Sequence, residues 1–263
     1  MPLLIILILS FLKLGSGQWQ VTGPDQHVQV LIGEDAVFTC FLSPETSAET
    51  MEVRFFKNEF STLVHLYKDG KDKNEVQTAD YKGRTELVKN FMAVGHVSLK
   101  LKNVTTLDAG LYGCLFSSEA YYQDALWELQ VSALGLSPLV SIMGKVGSNI
   151  QLLCKSSGWF PQPTVKWKNS QGHDFPSDSK VNVGTNGLFD VESSIVVQEN
   201  TGSISCSIQH PYEKRQEDFR ILIKDTFFQS SPLNLVYILL GVICLVCIII
   251  ISAMTYCIKR MSK

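Results

Sequence analysis

The chain has 263 residues, 18% of them charged, and a formal net charge of −2 at pH 7. That balance excludes the broadly basic surface on which nucleic-acid binding depends. The length allows two small domains once terminal apolar segments are set aside, and four of the 7 Cys, Cys40, Cys114, Cys154 and Cys206, lie between those segments, an even number that argues for disulfides in an oxidising compartment.

The first element is the apolar run Leu3–Leu12, followed by the small residues Gly15, Ser16 and Gly17. It is too short to cross about 30 Å of hydrocarbon. Residues 1–17 therefore read as a cleaved signal peptide.

Residues 18–132 carry short stretches of period-two alternation separated by turn residues, the pattern of an all-β sandwich. In DAVFTCFL, Ala36, Phe38, Cys40 and Leu42 share one parity. In MEVRFFK, Val53 and Phe55 point inward and Arg54 and Phe56 outward. The charged, turn-rich run Tyr67–Glu75 reads as a solvated hairpin connection. In HVSLKLKNV, Val97, Leu99 and Leu101 point inward. Asn103-Val104-Thr105 follows as the sole N-x-[ST] sequon, so Asn103 is the expected glycan site. Asp108 and Gly110 turn the chain into LYGCLFS, where Tyr112, Cys114 and Phe116 face in and Leu111, Gly113, Leu115 and Ser117 face out. Tyr112, two residues before a cysteine, has the placement of a tyrosine corner beside an inter-sheet disulfide, which pairs Cys114 with Cys40. The loop SSEAYYQDA presents Tyr121 and Tyr122. The last strand, DALWELQV, turns Leu129 and Val131 inward and Leu126, Glu128 and Gln130 outward.

Outward parity thus collects Phe56, Leu115 and Leu126, with Arg54 and Glu128 at the rim, Tyr121 and Tyr122 alongside, and a shallow spot at Gly113. An apolar group on a polar surface marks an interaction site, and tyrosines bury much area at little entropic cost. These seven residues are the expected binding face.

Gly135 and Pro138 interrupt the pattern in a linker over residues 131–138. Residues 133–227 repeat the scheme, with Ile150, Leu152 and Cys154 on one strand, Val165 and Trp167 on another, and Ile204, Cys206 and Ile208 on a third. Cys…Trp…Cys is immunoglobulin spacing, and Cys154 pairs with Cys206. The paired cysteines lie 74 residues apart in the first domain and 52 in the second. The wider gap leaves room for two extra strands, so the first domain reads as variable-type and the second as constant-type.

Residues 228–234 form a juxtamembrane linker. Residues 235–258 are uncharged and long enough to span a bilayer with some tilt. Lys259, Arg260 and Lys263 follow in the tail, residues 259–263, and place it in the cytosol. The expected product is a single-pass type I plasma-membrane protein with its N-terminus outside. Cys244 and Cys247 lie within the span, where membrane packing is their role, and Cys257 at its edge has the setting of a palmitoylation site.

No two of the 5 His have metal-ligand spacing, and neither a Gly-rich phosphate loop nor a G-x-S-x-G elbow occurs. The expectation is a non-enzyme with no cofactor and no metal.

The strings GEDAVFTC, MEVRFFK, GRTELV and LDAGLYGC, followed by CKSSGWFPQPTVKW and GLFDVESSI, resemble the butyrophilin and butyrophilin-like family, which is related to the T-cell co-stimulatory ligands. The resemblance runs from about Gln18 to Thr226, and SGWFPQPTVKW is its most specific part. It implies an ion pair between Arg84 and Asp108 beneath the first sandwich. The sequence departs from the pattern at Phe55, where a tryptophan is usual, and at Ile204, where a corner tyrosine is usual; each apolar side chain fills its site. Relatives often add a cytosolic PRY-SPRY domain, which these residues do not contain. The resemblance implies a ligand for a T-cell surface receptor, active on γδ or intraepithelial T cells and working as a dimer with itself or a related chain. Two alternatives share the same face: a homophilic adhesion molecule, and a non-signalling subunit that stabilises a partner chain.

Overall fold

A computed structural model describes residues 18–199, 201–213, 216–224, 228 and 232–261. The leader expected at residues 1–17 lies outside the described residues. The alternation in residues 18–132 produces two sheets. One has the order β1 (Gln20–Thr22), β3 (Ala36–Ser43), β8 (His96–Leu101), β7 (Thr85–Val88). The other has the order β2 (His27–Leu31), β10 (Tyr122–Ser132), β9 (Gly110–Ser117), β4 (Glu52–Lys57), β5 (Glu59–Lys68), β6 (Lys71–Asp72). Strand β2 pairs parallel to β10, and the other pairs are antiparallel. The charged run at Tyr67–Glu75 forms the β5–β6 hairpin, turning through Asp69 and Gly70, both at positive φ as a tight hairpin turn requires.

Cys40 on β3 bonds to Cys114 on β9 and ties the sheets together. Around the bridge Phe38, Phe55, Tyr112, Phe116 and Leu129 are fully buried. Trp127 on β10 completes this core. Its ring lies 5.2 Å from Phe38 and meets Phe55 edge-on at 6.4 Å. Phe55 fills its own position on β4, and β10, two strands away, brings the indole beside it.

Beneath the sandwich Asp108 is a hub. The Tyr112 hydroxyl donates to its carbonyl at 2.9 Å, the tyrosine-corner bond. Its carboxylate accepts two hydrogen bonds from Arg84, at 2.5 and 3.1 Å, and one each from the Thr105 amide and hydroxyl. Remaining Arg84 donors reach the carbonyls of Asp80, Lys102 and Asn103. The expected ion pair is thus present and held by backbone on every side.

The second sandwich pairs β11 (Leu139–Val146), β12 (Asn149–Trp159), β16 (Phe189–Val197) and β15 (Asp178–Val183) in one sheet, and β14 (Asp174–Phe175), β13 (Thr164–Asn169), β17 (Ser203–Gln209) and β18 (Gln216–Leu222) in the other. Cys154 bonds to Cys206. Trp167 packs beside that bridge and donates its indole N–H to Ser193 at 3.1 Å. Ile204, at the corner-tyrosine position, is fully buried.

Backbone bonds between Ala133 and Phe160 join the domains, and Phe160 packs against the first core. His210 accepts hydrogen bonds from the amides of Tyr212 and Glu213 at Nδ1 and so donates Nε2–H to the Phe160 carbonyl at 2.7 Å. Helix α1 (Pro232–Met261) contains an apolar span, Val236–Ile258, long enough to cross a membrane.

Burial alone pushes the Asp108 carboxyl up, but Arg84 and the Thr105 donors outweigh it and hold the group below its ordinary value. A lowered folded value contributes stability above about pH 4 that is lost as pH falls through that folded value. Asp108→Asn is expected to cost roughly 2–3 kcal/mol at neutral pH and to remove this acid-sensitive part, as measured by denaturant unfolding at pH 7 and pH 3.

Candidate functional site

The outer surface of the six-stranded sheet is built by the residues whose alternation turns them away from the disulfide core. Cross-strand register arranges them in rows. One row reads Leu66, Arg54, Leu115, Asp124. The next reads Leu63, Phe56, Gly113, Leu126. The second row is apolar from end to end and lies at the centre of the face.

Gly113 is the keystone of that row. A Cβ there would lie 2.3 Å from the Phe56 ring and 2.7 Å from Leu126 Cδ2, so both side chains lie directly over the glycine backbone. The expected shallow spot is filled, and Phe56 is only 3% exposed. Phe56 is therefore not the exposed side chain the alternation suggests, although its direction is as parity requires. The covering group is Phe60, whose ring centroid is 4.5 Å from that of Phe56 and which is itself 51% exposed. Leu63 and Leu66 are buried on the same outer side. Together these residues form a small second core outside the sandwich.

Phe60, Leu63 and Leu66 escaped the sequence reading because register shifts on either side of Phe56 break the pairing of β4 with β5. The available signal was the aromatic and aliphatic content of EFSTLVHLY, next to an outward Phe56.

Leu126 is 51% exposed and Leu115 half-buried, which agrees with their expected place. Tyr122 is 70% exposed, as its loop position leads one to expect. Tyr121 is a correction: it is half-buried and packs edge-on against Trp19 at 4.9 Å, so it braces the loop. The loop is closed by Ser118, whose amide and hydroxyl both donate to the Tyr121 carbonyl.

The rim charges are paired within the chain. Arg54 donates to Glu52 at 3.0 Å and to the Phe60 carbonyl, which ties β4 to the segment carrying Phe60. The hydrogen bond from Lys68, and that from Arg54, hold the Glu52 carboxyl below its ordinary value. Glu128 accepts from Gln130 and lies 3.0 Å from His27.

Strand β5 is anchored from behind. Gln77 donates to the Thr85 hydroxyl and to the Val64 carbonyl. Thr85 can then give its own proton to His65 Nδ1, which leaves Nε2–H to donate to Asp72 at 3.3 Å. Burial pushes the His65 imidazole down against the pull of Asp72, so the ring is neutral at neutral pH. Asn103, the sequon residue, is exposed on the β8–β9 connection and lies on no strand of this face.

Residues 22–132 match the family model described as an immunoglobulin V-set domain, and residues 134–218 match the one described as the Ig-C domain of butyrophilin subfamily 3 member A2-like proteins. Butyrophilin-like protein 1 of Mus musculus is 36% identical over 234 residues, which are 88% of this chain and 46% of that protein. The chain spans less than half the length of the first such relatives it matches. The crystal structure of bovine butyrophilin superposes with a TM-score of 0.74 at 33% identity, covering 79% of this chain and 100% of that one. A chain in the crystal structure of ICOS with ICOS-L and an anti-ICOS-L VNAR domain shares the fold, with a TM-score of 0.65 at 23% identity over 74% of this chain and 98% of that one.

Neighbouring aromatic residues are expected to separate in their effects. Phe56→Ala opens a cavity above Gly113 and costs about 3 kcal/mol of unfolding free energy. Phe60→Ala, at a half-exposed ring, costs less than about 1 kcal/mol. Denaturant titration of both variants reads the difference.

Proposed function

Because the chain belongs to the butyrophilin and butyrophilin-like family, we propose that it is a single-pass cell-surface ligand that modulates T-cell responses by presenting the outer face of its V-set domain to a T-cell surface receptor. Helix α1 anchors it in the plasma membrane with the two immunoglobulin domains outside, residues 18–132 and 133–227. The same face, or part of it, pairs the chain with a second copy or a related chain. γδ and intraepithelial T cells are the proposed responders.

One observation carries this reading. The central row Leu63, Phe56, Gly113, Leu126 is an apolar strip in which Leu63 and Phe56 are covered within the chain, so that Leu126, Phe60 and Tyr122 stand exposed on and beside it. Such a strip, rimmed by Arg54, Glu128 and Asp124, has the anatomy of an interface centre. Phe56 holds the strip in place. The contact itself falls to Phe60, Leu115, Leu126 and Tyr122.

Phe60→Ala, Leu126→Ala and Tyr122→Ala are each expected to remove on the order of 1–3 kcal/mol of binding. The measurements are T-cell reporter activation and co-precipitation of tagged chains, with surface display held equal. Unchanged activation and unchanged pairing in all three variants would reject the face. Cells bearing only this protein test the adhesion alternative, since homophilic adhesion makes them aggregate with one another.

We further propose a glycan on Asn103. It stands at the foot of the first sandwich and leaves the outer face open. Asn103→Gln is expected to speed migration of the mature protein on a gel and to leave reporter activation unchanged. Identical migration of the variant and of glycosidase-treated protein with the untreated chain removes this assignment.

A further inference from the structure

The end of the second sandwich remote from the first has a composition that the recognition face does not explain. Strand β12 runs down to this end from Trp159 to Asn149, β16 ends here at Val197, and β18 ends here at Leu222. Val146 lies opposite Asn149, and Val196 lies opposite Gln151, so both valines project from the outer side of one sheet. Leu222, 65% exposed, lies opposite Ser203 on the outer side of the other sheet. Met143 is exposed at the bulge in β11. Apolar side chains therefore ring this end on both sheets, with Lys145 and Lys224 among them.

The chain's path places this ring at the bilayer. Phe228 packs against the second core, and Lys145 Nζ donates to its carbonyl at 3.4 Å. Helix α1 begins at Pro232 and its apolar span at Val236. Four Cα steps from Phe228 to Pro232 reach at most about 15 Å. The helix then rises about 6 Å to the start of the span, and the headgroup layer fills about 5–7 Å of that rise. The base of the domain is thus held within about 15 Å of the headgroups at full stretch, and nearer for any less extended path.

We propose that the base of the second domain, through Val146, Val196, Leu222 and Met143, rests on the outer leaflet and sets the tilt of the ectodomain. The occupant is a zwitterionic phospholipid surface. Short apolar side chains enter the headgroup boundary, and lysines keep their ammonium groups at phosphate level. A protein partner would have to contact both sheets at once in the narrow space the bilayer already borders.

The proposal rests on α1 spanning the membrane, and the test separates the two claims. The full chain is reconstituted in phosphatidylcholine vesicles with photo-crosslinking benzoylphenylalanine in place of Val146 or Leu222. Val183, exposed on β15 at the opposite end of the domain, is the comparison site, and Ile243 within α1 is the membrane control. The expected result is several-fold more lipid adduct, by mass spectrometry, at 146 and 222 than at 183. Adducts at 243 with no excess at 146 and 222, or crosslinks there to a second chain in place of lipid, overturn the lipid-contact proposal alone. Absence of lipid adducts at 243 removes the spanning helix, and the proposal with it.

Discussion

The buried bridge from Cys40 to Cys114 is the constraint from which the rest of the first domain follows. It holds β3 against β9 across the sandwich, so the parity of both strands is set. Once Cys114 faces inward, Tyr112 and Phe116 do as well, and Leu111, Gly113 and Leu115 must face out. Tyr112 then reaches the Asp108 carbonyl, which brings the Asp108 carboxylate beneath the sheet to meet Arg84. The bridge, the corner and the ion pair are one assembly, and Trp127 closes it by filling the space beside Phe38 and Phe55.

The same parity creates the outer face of the six-stranded sheet. Residues forced outward on an ordinary sheet are polar, whereas here the middle row is apolar and needs cover. Phe56 lies over Gly113, and Phe60 lies over Phe56. The strip is ordered by this stacking within the chain itself. Charges at its margin are occupied within the chain: Glu52 takes Arg54 and Lys68, and Glu128 takes Gln130. In the binding proposed for this face, the apolar centre would supply affinity, while the rim would govern approach and choice of partner.

The second sandwich lies between this face and helix α1, whose apolar span is long enough to cross a membrane. The backbone bonds between Ala133 and Phe160, the hydrogen bond from His210 to Phe160, and the bond from Thr106 to the Asn186 carbonyl cross or brace the junction. Gly135 lies so close to the Trp159 indole that a Cβ would come within 2.2 Å of its Nε1. The two domains are thus joined at several points along the junction.

Much of this was legible in the chain itself. The cysteine pairs, the tyrosine corner, the inward rows and the apolar span are local patterns of period two or of unbroken hydropathy, and physical chemistry reads them without knowing any partner strand. The directions of Arg54, Phe56, Leu115, Leu126 and Glu128 were likewise set by alternation. Coverage was not. Tyr121 meets Trp19, Phe60 covers Phe56, and Trp127 packs beside Phe55, each through contacts between strands or across a bulge. Alternation says which side of a sheet a residue faces, because that depends only on its own backbone. Whether water reaches it depends on side chains brought from elsewhere in the chain, and only the packed tertiary structure decides that.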